Sequence, residues 1–172
     1  GAMLELKPTP RDAVPAALEK AERYRLLNQP GEAESICRDV LAVDPRNAEA
    51  QAVLVLALTD QFGDRHGAPL DAALAEAGRL GDDYERAYHA GLVYERWAKA
   101  QAARAAPHHA PLGWLREALR HYEQAEKVAP KGNDEAILRW NACVRLIRRI
   151  EQASGGHAAA HATAGGQEHP LD

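Results

Sequence analysis

One phenylalanine and one methionine are present in 172 residues, and β-branched side chains are sparse. Strands draw on β-branched and aromatic residues, so this shortage argues against a sheet. A basic excess is missing too: 21 Lys and Arg stand against 25 Asp and Glu, a formal charge of −4. That leaves no reason to expect the electrostatic footprint of a nucleic-acid binder. There is no run of about 18 apolar residues to span a bilayer, and no charged, apolar leader of a secretion signal. A cytoplasmic protein without membrane contact is expected. Gly1-Ala2-Met3 reads as a cloning remnant, so a truncated native N-terminus is expected and residues 1–10 are set apart as a lead. Only Cys37 and Cys143 carry thiols; both fall on apolar helix faces and read as small, reduced, buried side chains.

Catalytic signatures are absent as well. No Gly-rich phosphate loop follows a strand, and neither a nucleophile elbow nor an HExxH pair occurs. The acids Glu32 and Glu34, and Asp82 and Asp83, stand where helix starts and solvated faces account for them. Neither enzymatic activity nor a cofactor is expected. Histidines cluster at His108-His109 and recur at His157, His161 and His169. A metal site needs three or four ligands converging at fixed geometry, and no metal is expected here.

What the chain does have is alanine at helical spacing. In residues 114–130, WLREALRHYEQAEKVAP, Ala118, Tyr122 and Ala125 follow at intervals of four and three, and Pro130 stands five residues beyond. They share one helical face. The alanines let a neighbouring helix approach, Tyr122 fills the gap between them, and the proline ends the helix. Ala33, Cys37, Val40 and Pro45 repeat that spacing without a gap. Helices over 11–28 and 32–43 flank a break at Gln29-Pro30-Gly31. An apolar helix over 48–60, a loop over 63–69 and an alanine-rich helix over 70–80 follow, closed by Gly81-Asp82-Asp83. A helix from 83 to about 106, the helix at 114–130 and a last one over 133–152 bring the total to about seven. In the last, Ile137, Trp140, Val144, Ile147 and Ile150 form an apolar stripe, with Arg145, Arg148 and Arg149 on a solvated face. Residues 153–172, rich in Gly, Ala and His, read as an unstructured tail.

The small-x3-aromatic-x2-small-x4-proline pattern resembles the second helix of a tetratricopeptide repeat. First helices carry the matching signature at Ala21 and Tyr24, and at Ala87, Gly91 and Tyr94, where Gly91-x2-Tyr94 has the family's small-x2-aromatic spacing. The resemblance implies an all-α, right-handed solenoid of antiparallel helix hairpins. Its repeats would cover about 14–47, 48–83 and 84–132, the middle one degenerate, with a capping helix over 133–152. Residues 99–113 are an insertion relative to the family pattern, open to two readings: a recognition element, or a neutral loop.

In this family the first helices of successive pairs line a concave face that holds a peptide or helix of a partner. By position, the first repeat supplies Glu22 and Arg25 with Leu18 and Leu26, and the second Leu56 and Asp60 with Glu49, Ala52 and Thr59. The third supplies Tyr88, Leu92, Glu95 and Arg96 with Glu85, and the last helix Asn141 and Arg145. Such a wall, apolar at its centre and mostly acidic at its borders, suits a ligand with apolar anchors and basic residues. Tyr88 and Leu92 fit packing against a neighbouring helix equally well. The slots with which some family members grip a C-terminal carboxylate hold Leu18, Glu22 and Val53 here, so that mode is not implied. The expected function is a protein-interaction module; the alternative is a self-assembly scaffold that uses the last helix or the insertion. High Ala and Arg content fits a GC-rich bacterial genome.

Overall fold

The computed structural model of the protein describes residue 1, residues 3–104 and residues 110–165. Among these a 3₁₀ turn (Arg11–Ala13) leads into seven α-helices: α1 (Val14–Leu26), α2 (Pro30–Val43), α3 (Ala48–Thr59), α4 (Leu70–Gly78), α5 (Asp83–Ala103), α6 (Ala110–Val128) and α7 (Glu135–Gly165). No strand occurs among the described residues, as the shortage of β-formers implies. Each helix packs on the next in chain order, and α3 also touches α1 and α5. No helix among the described residues is long and apolar enough to cross a membrane.

Helix ends differ from the sequence expectation for local reasons. α1 stops at Leu26, and Asn28 adopts φ 59°. The Asn28 amide donates to the Arg25 carbonyl at 3.0 Å and the Gln29 amide to that of Tyr24 at 2.8 Å, the paired bonds of a Schellman cap. Pro30 then opens α2 rather than breaking the chain, because a first-turn residue has no intrahelical use for the N–H that proline lacks. Asn47 caps α3 by accepting from the Ala50 amide at 2.9 Å, and Asp82 caps α5 by accepting from the Glu85 amide at 3.0 Å. α5 ends at Ala103, and α6 begins at Ala110, inside the stretch expected as a loop, with Pro111 in its first turn. α7 runs to Gly165, past the expected stop at Gln152. The extension is alanine-rich, and alanine's helix propensity carries it through the central glycines. His108 and His109 of the insertion, and residues 166–172 with His169, lie outside the described residues.

Both spaced triplets are sealed: Ala33, Cys37 and Val40, and likewise Ala118, Tyr122 and Ala125, are 0% exposed. Ala21, Ala33 and Cys37 join Leu54 and Leu58 of α3 and Ala73 and Ala77 of α4 in one core. Leu92, Leu115, Ala118, Tyr122, Cys143 and Ile147 form another across α5, α6 and α7. Gly91 makes the second possible, since a Cβ there would stand 2.5 Å from Tyr122 Cε1. Of the expected α7 stripe, Ile147 is buried in this core and Trp140 and Ile150 pack against it; Cys143 joins them and Ala136 is buried nearby, while Ile137 is 41% exposed. The helix is turned so that Arg139 reaches Glu95 on α5. Leu18, expected on the concave face, is instead core, packed with Val14, Val40 and Ala50.

Candidate functional site

α5 carries Tyr84, Tyr88, Leu92, Glu95 and Lys99 at intervals of four, four, three and four, which places them on one face. That face lines a cleft of ≈ 880 Å³ opposite the start of α7, with Leu56 of α3 at its edge. Gly132, at φ 87°, turns the chain into the opposite wall, a conformation glycine adopts without strain. Asn133 then ties the walls together. Its Oδ1 accepts from the Tyr84 hydroxyl at 3.2 Å and from the Glu135 amide at 3.1 Å.

Glu95 sits in the cleft floor, 2% exposed, where an unpaired carboxylate would be costly. Oε1 accepts from the Tyr122 hydroxyl at 2.8 Å and Arg139 Nε at 3.2 Å; Oε2 accepts from Lys99 Nζ at 2.6 Å and from Arg139 Nη2. Burial pushes the carboxyl pKa up, but the bonds from Arg139, Lys99 and Tyr122 outweigh it and hold the pKa down at about 2. Burial and the adjacent Glu95 charge drive the Tyr122 phenol far above its usual range, so its proton stays in place as a donor. One carboxylate thus joins α5, α6 and α7.

Asp60, directly after α3, does the same for α1 and α5. It accepts from Arg25 Nε of α1 at 2.7 Å and Arg96 Nη1 of α5 at 3.0 Å, while Arg96 also donates to Thr59 Oγ1 at 3.0 Å. Four cations against the two carboxylates Asp60 and Glu95 leave this half with two uncompensated positive charges.

The other half has the reverse balance. Glu85 meets only the ring of His89, 3.2 Å away. Asp134 and Glu135 line the same region and take part in no ion pair among the described residues. Tyr84 and Tyr88 stack with centroids 5.6 Å apart and planes 10° apart. His89 stands edge-on to Tyr88 and holds its Nδ1 2.9 Å from the Glu85 carbonyl oxygen. A carbonyl can only accept, so Nδ1 carries a proton and donates it. Burial, reinforced by the Glu135 charge, raises the Tyr88 phenol above its usual range.

Of the residues expected to form the site, Leu56, Tyr88, Leu92, Glu95 and Arg96 meet in this cleft, and Arg25 and Asp60 adjoin it through the Arg96 ion pair. Their exposure is uneven: Leu92 is 8% exposed and belongs to the α5–α6–α7 core, and Glu95 is consumed by internal bonds. Glu22 is exposed on α1 and outside the cleft lining. Asn141 and Arg145 are exposed on α7 and also outside it; at about 100° per residue Asn141 points about 200° away from Arg139. Arg139 is the residue that α7 contributes. Lys99 and His89 were signalled by their i,i+4 distances from Glu95 and Glu85; Arg139 had no local signal, because its role depends on how α5 meets α7.

Cys37 and Cys143 are free and buried, and burial pushes each thiol up to about 12, far from reactive-thiolate character. Among the described residues no group of three His, Cys, Asp or Glu side chains is placed to hold a metal. No family model matches the sequence, and no curated protein matches it.

Proposed function

We propose that the chain is a protein-interaction module of tetratricopeptide-repeat type, a right-handed solenoid whose concave face is lined by α1, α3, α5 and α7. A segment of a partner protein docks in the cleft between α5 and α7. The observation that carries this reading is the cleft itself: Leu56, Tyr88 and Leu92 supply apolar lining between a cationic and an acidic end, and the Glu95 and Asp60 bonds cross from helix to helix around it. A site held in shape by its own ion pairs needs little ordering when a ligand arrives, which lowers the cost of binding. The sealed triplets, the Gly91–Tyr122 contact and the packing of helices in chain order support the repeat reading.

A cross-linking pull-down compares wild type with a Tyr88→Ala/Arg96→Glu variant whose helicity is checked by circular dichroism. The reading expects a partner captured by the first and lost by the second; a partner retained equally by both sinks it. Leu92 is left intact because its burial would turn a polar substitution into a core defect. A second reading, self-association through α7, has one observation in its favour: Ile137 and Leu138 are 41% and 56% exposed. A mass that rises with concentration and falls back in Ile137→Asp/Leu138→Asp would select it.

A further inference from the structure

Acids of two kinds surround the cleft. Asp60 and Glu95 each accept from two cations of the same chain, which leaves neither available to a partner. Glu85 reaches only the ring of His89, Glu135 only the Tyr88 hydroxyl, and neither these two nor Asp134 meets a Lys or Arg among the described residues. Beside them lie the stacked rings of Tyr84 and Tyr88 and the imidazole of His89. His89 is only 6% exposed yet lines the cleft. With Nδ1 engaged by the Glu85 carbonyl, its Nε2 has no partner among the described residues. An imidazole edge open to the cleft, acids that meet no Lys or Arg, and an aromatic face beside them describe what is missing: a flat cation with several N–H groups.

We propose that this end of the cleft is a subsite for an arginine side chain of an extended partner segment. The guanidinium lies against Tyr88 and donates to Glu85, Glu135 and His89 Nε2, while an acidic residue of the same segment meets Arg96 and Lys99. The inference rests on the peptide-binding reading and names its ligand. Arginine fits better than lysine because its planar fork of donors can satisfy several acceptors while stacking on a phenol ring. An extended segment fits better than a helix. The Arg139–Glu95 and Tyr84–Asn133 bonds run from wall to wall, which obstructs a helix about 10–12 Å across more than a single extended strand. Tyr88 and Arg96 are eight residues apart on α5, or about 12 Å at the helical rise. An extended chain covers that in about four residues, which sets the spacing between the arginine and the acid.

Panning a random peptide library against the full chain, then titrating labelled enriched peptides by fluorescence anisotropy, tests the subsite. The enriched peptides are expected to carry an arginine about four residues from an Asp or Glu. Replacing that arginine by alanine, or making Glu85→Gln/Glu135→Gln in the protein, is expected to weaken binding about tenfold or more, and the two changes together to cost less than their product. Tyr88→Leu should weaken the same peptides, with the helical signal unchanged in every variant. If the peptides lose affinity in Arg96→Glu but contain no arginine and ignore Glu85→Gln/Glu135→Gln, the subsite is wrong and the peptide-binding reading stands. Peptides indifferent to every cleft variant, or no enrichment at all, overturn both. Self-association weakened by the cleft variants would give the cleft to a second copy and overturn the proposal.

Discussion

Gly91 and Glu95 occupy adjacent turns of α5 and set opposite requirements on Tyr122. The ring needs position 91 to carry no Cβ; Glu95 fixes the ring by accepting a hydrogen bond from its hydroxyl at 2.8 Å. In Gly91→Ala the new methyl would stand 2.5 Å from Tyr122 Cε1, and the ring cannot retreat without lengthening that bond. A loss of about 1–3 kcal/mol is expected, read as a lower urea midpoint with the slope unchanged. For Glu95 the sign follows from a folded-state pKa near 2, below the ordinary 4.5. The native state prefers the ionised form by roughly 3 kcal/mol. That contribution is fully present above pH 4.5 and is lost as the pH falls towards 2. Urea midpoints measured across that range should fall steeply for wild type and more gently for Glu95→Gln, which starts lower at neutral pH. Parallel slopes would show that other groups carry the acid sensitivity.

At the scale of elements, helix ends are set by single side chains whose effects have opposite signs. Asn47 satisfies the Ala50 amide at 2.9 Å, so Asn47→Ala should cost about 1 kcal/mol. Asn28 holds φ 59°, where an L-residue is strained and glycine is not, so Asn28→Gly should gain up to about 1 kcal/mol. Thermal melts of the two variants, displaced in opposite directions from wild type, check the pair. The ends also explain a misreading of the chain. Gln29-Pro30-Gly31 has the composition of a breaker, yet the break is finished by Gln29, and Pro30 serves as the first residue of α2.

Across the whole molecule the two thiols report on different cores. Cys37 lies on α2, which packs against both α1 and α3; Cys143 lies on α7, which follows α6 at the end of the described helices. A helix with one main neighbour loses less when it detaches, so α7 should open at lower free energy than α2. Alkylation followed by mass spectrometry in rising urea should label Cys143 before Cys37, with neither labelled at zero urea because burial holds both thiols at about 12. Simultaneous labelling would mean that the two cores open as one unit. The charge pattern also belongs to this scale. Arg25, Asp60 and Arg96 come from three regions of the chain, and only their convergence sets two cations against the one Asp60 carboxylate.

Much of the fold was legible from the chain alone. Alanine content without β-formers means helices, and the equal spacing of Ala33, Cys37, Val40 and of Ala118, Tyr122, Ala125 marked residues that are all fully buried, because helical periodicity is a local property. The end of α1 was less legible, since the backbone bonds of Asn28 and Gln29 decide it. The site divides in the same way. Position along α5 was enough to group Tyr88, Leu92, Glu95 and Arg96, which line one cleft. Tertiary structure alone decided that Glu95 and Asp60 are spent on internal cations, that Arg139 rather than Asn141 or Arg145 faces the cleft, and that Glu85 and Glu135 meet no Lys or Arg among the described residues. Charge is written in the sequence, but whether it is available depends on which opposite charges the packed helices bring within bonding distance.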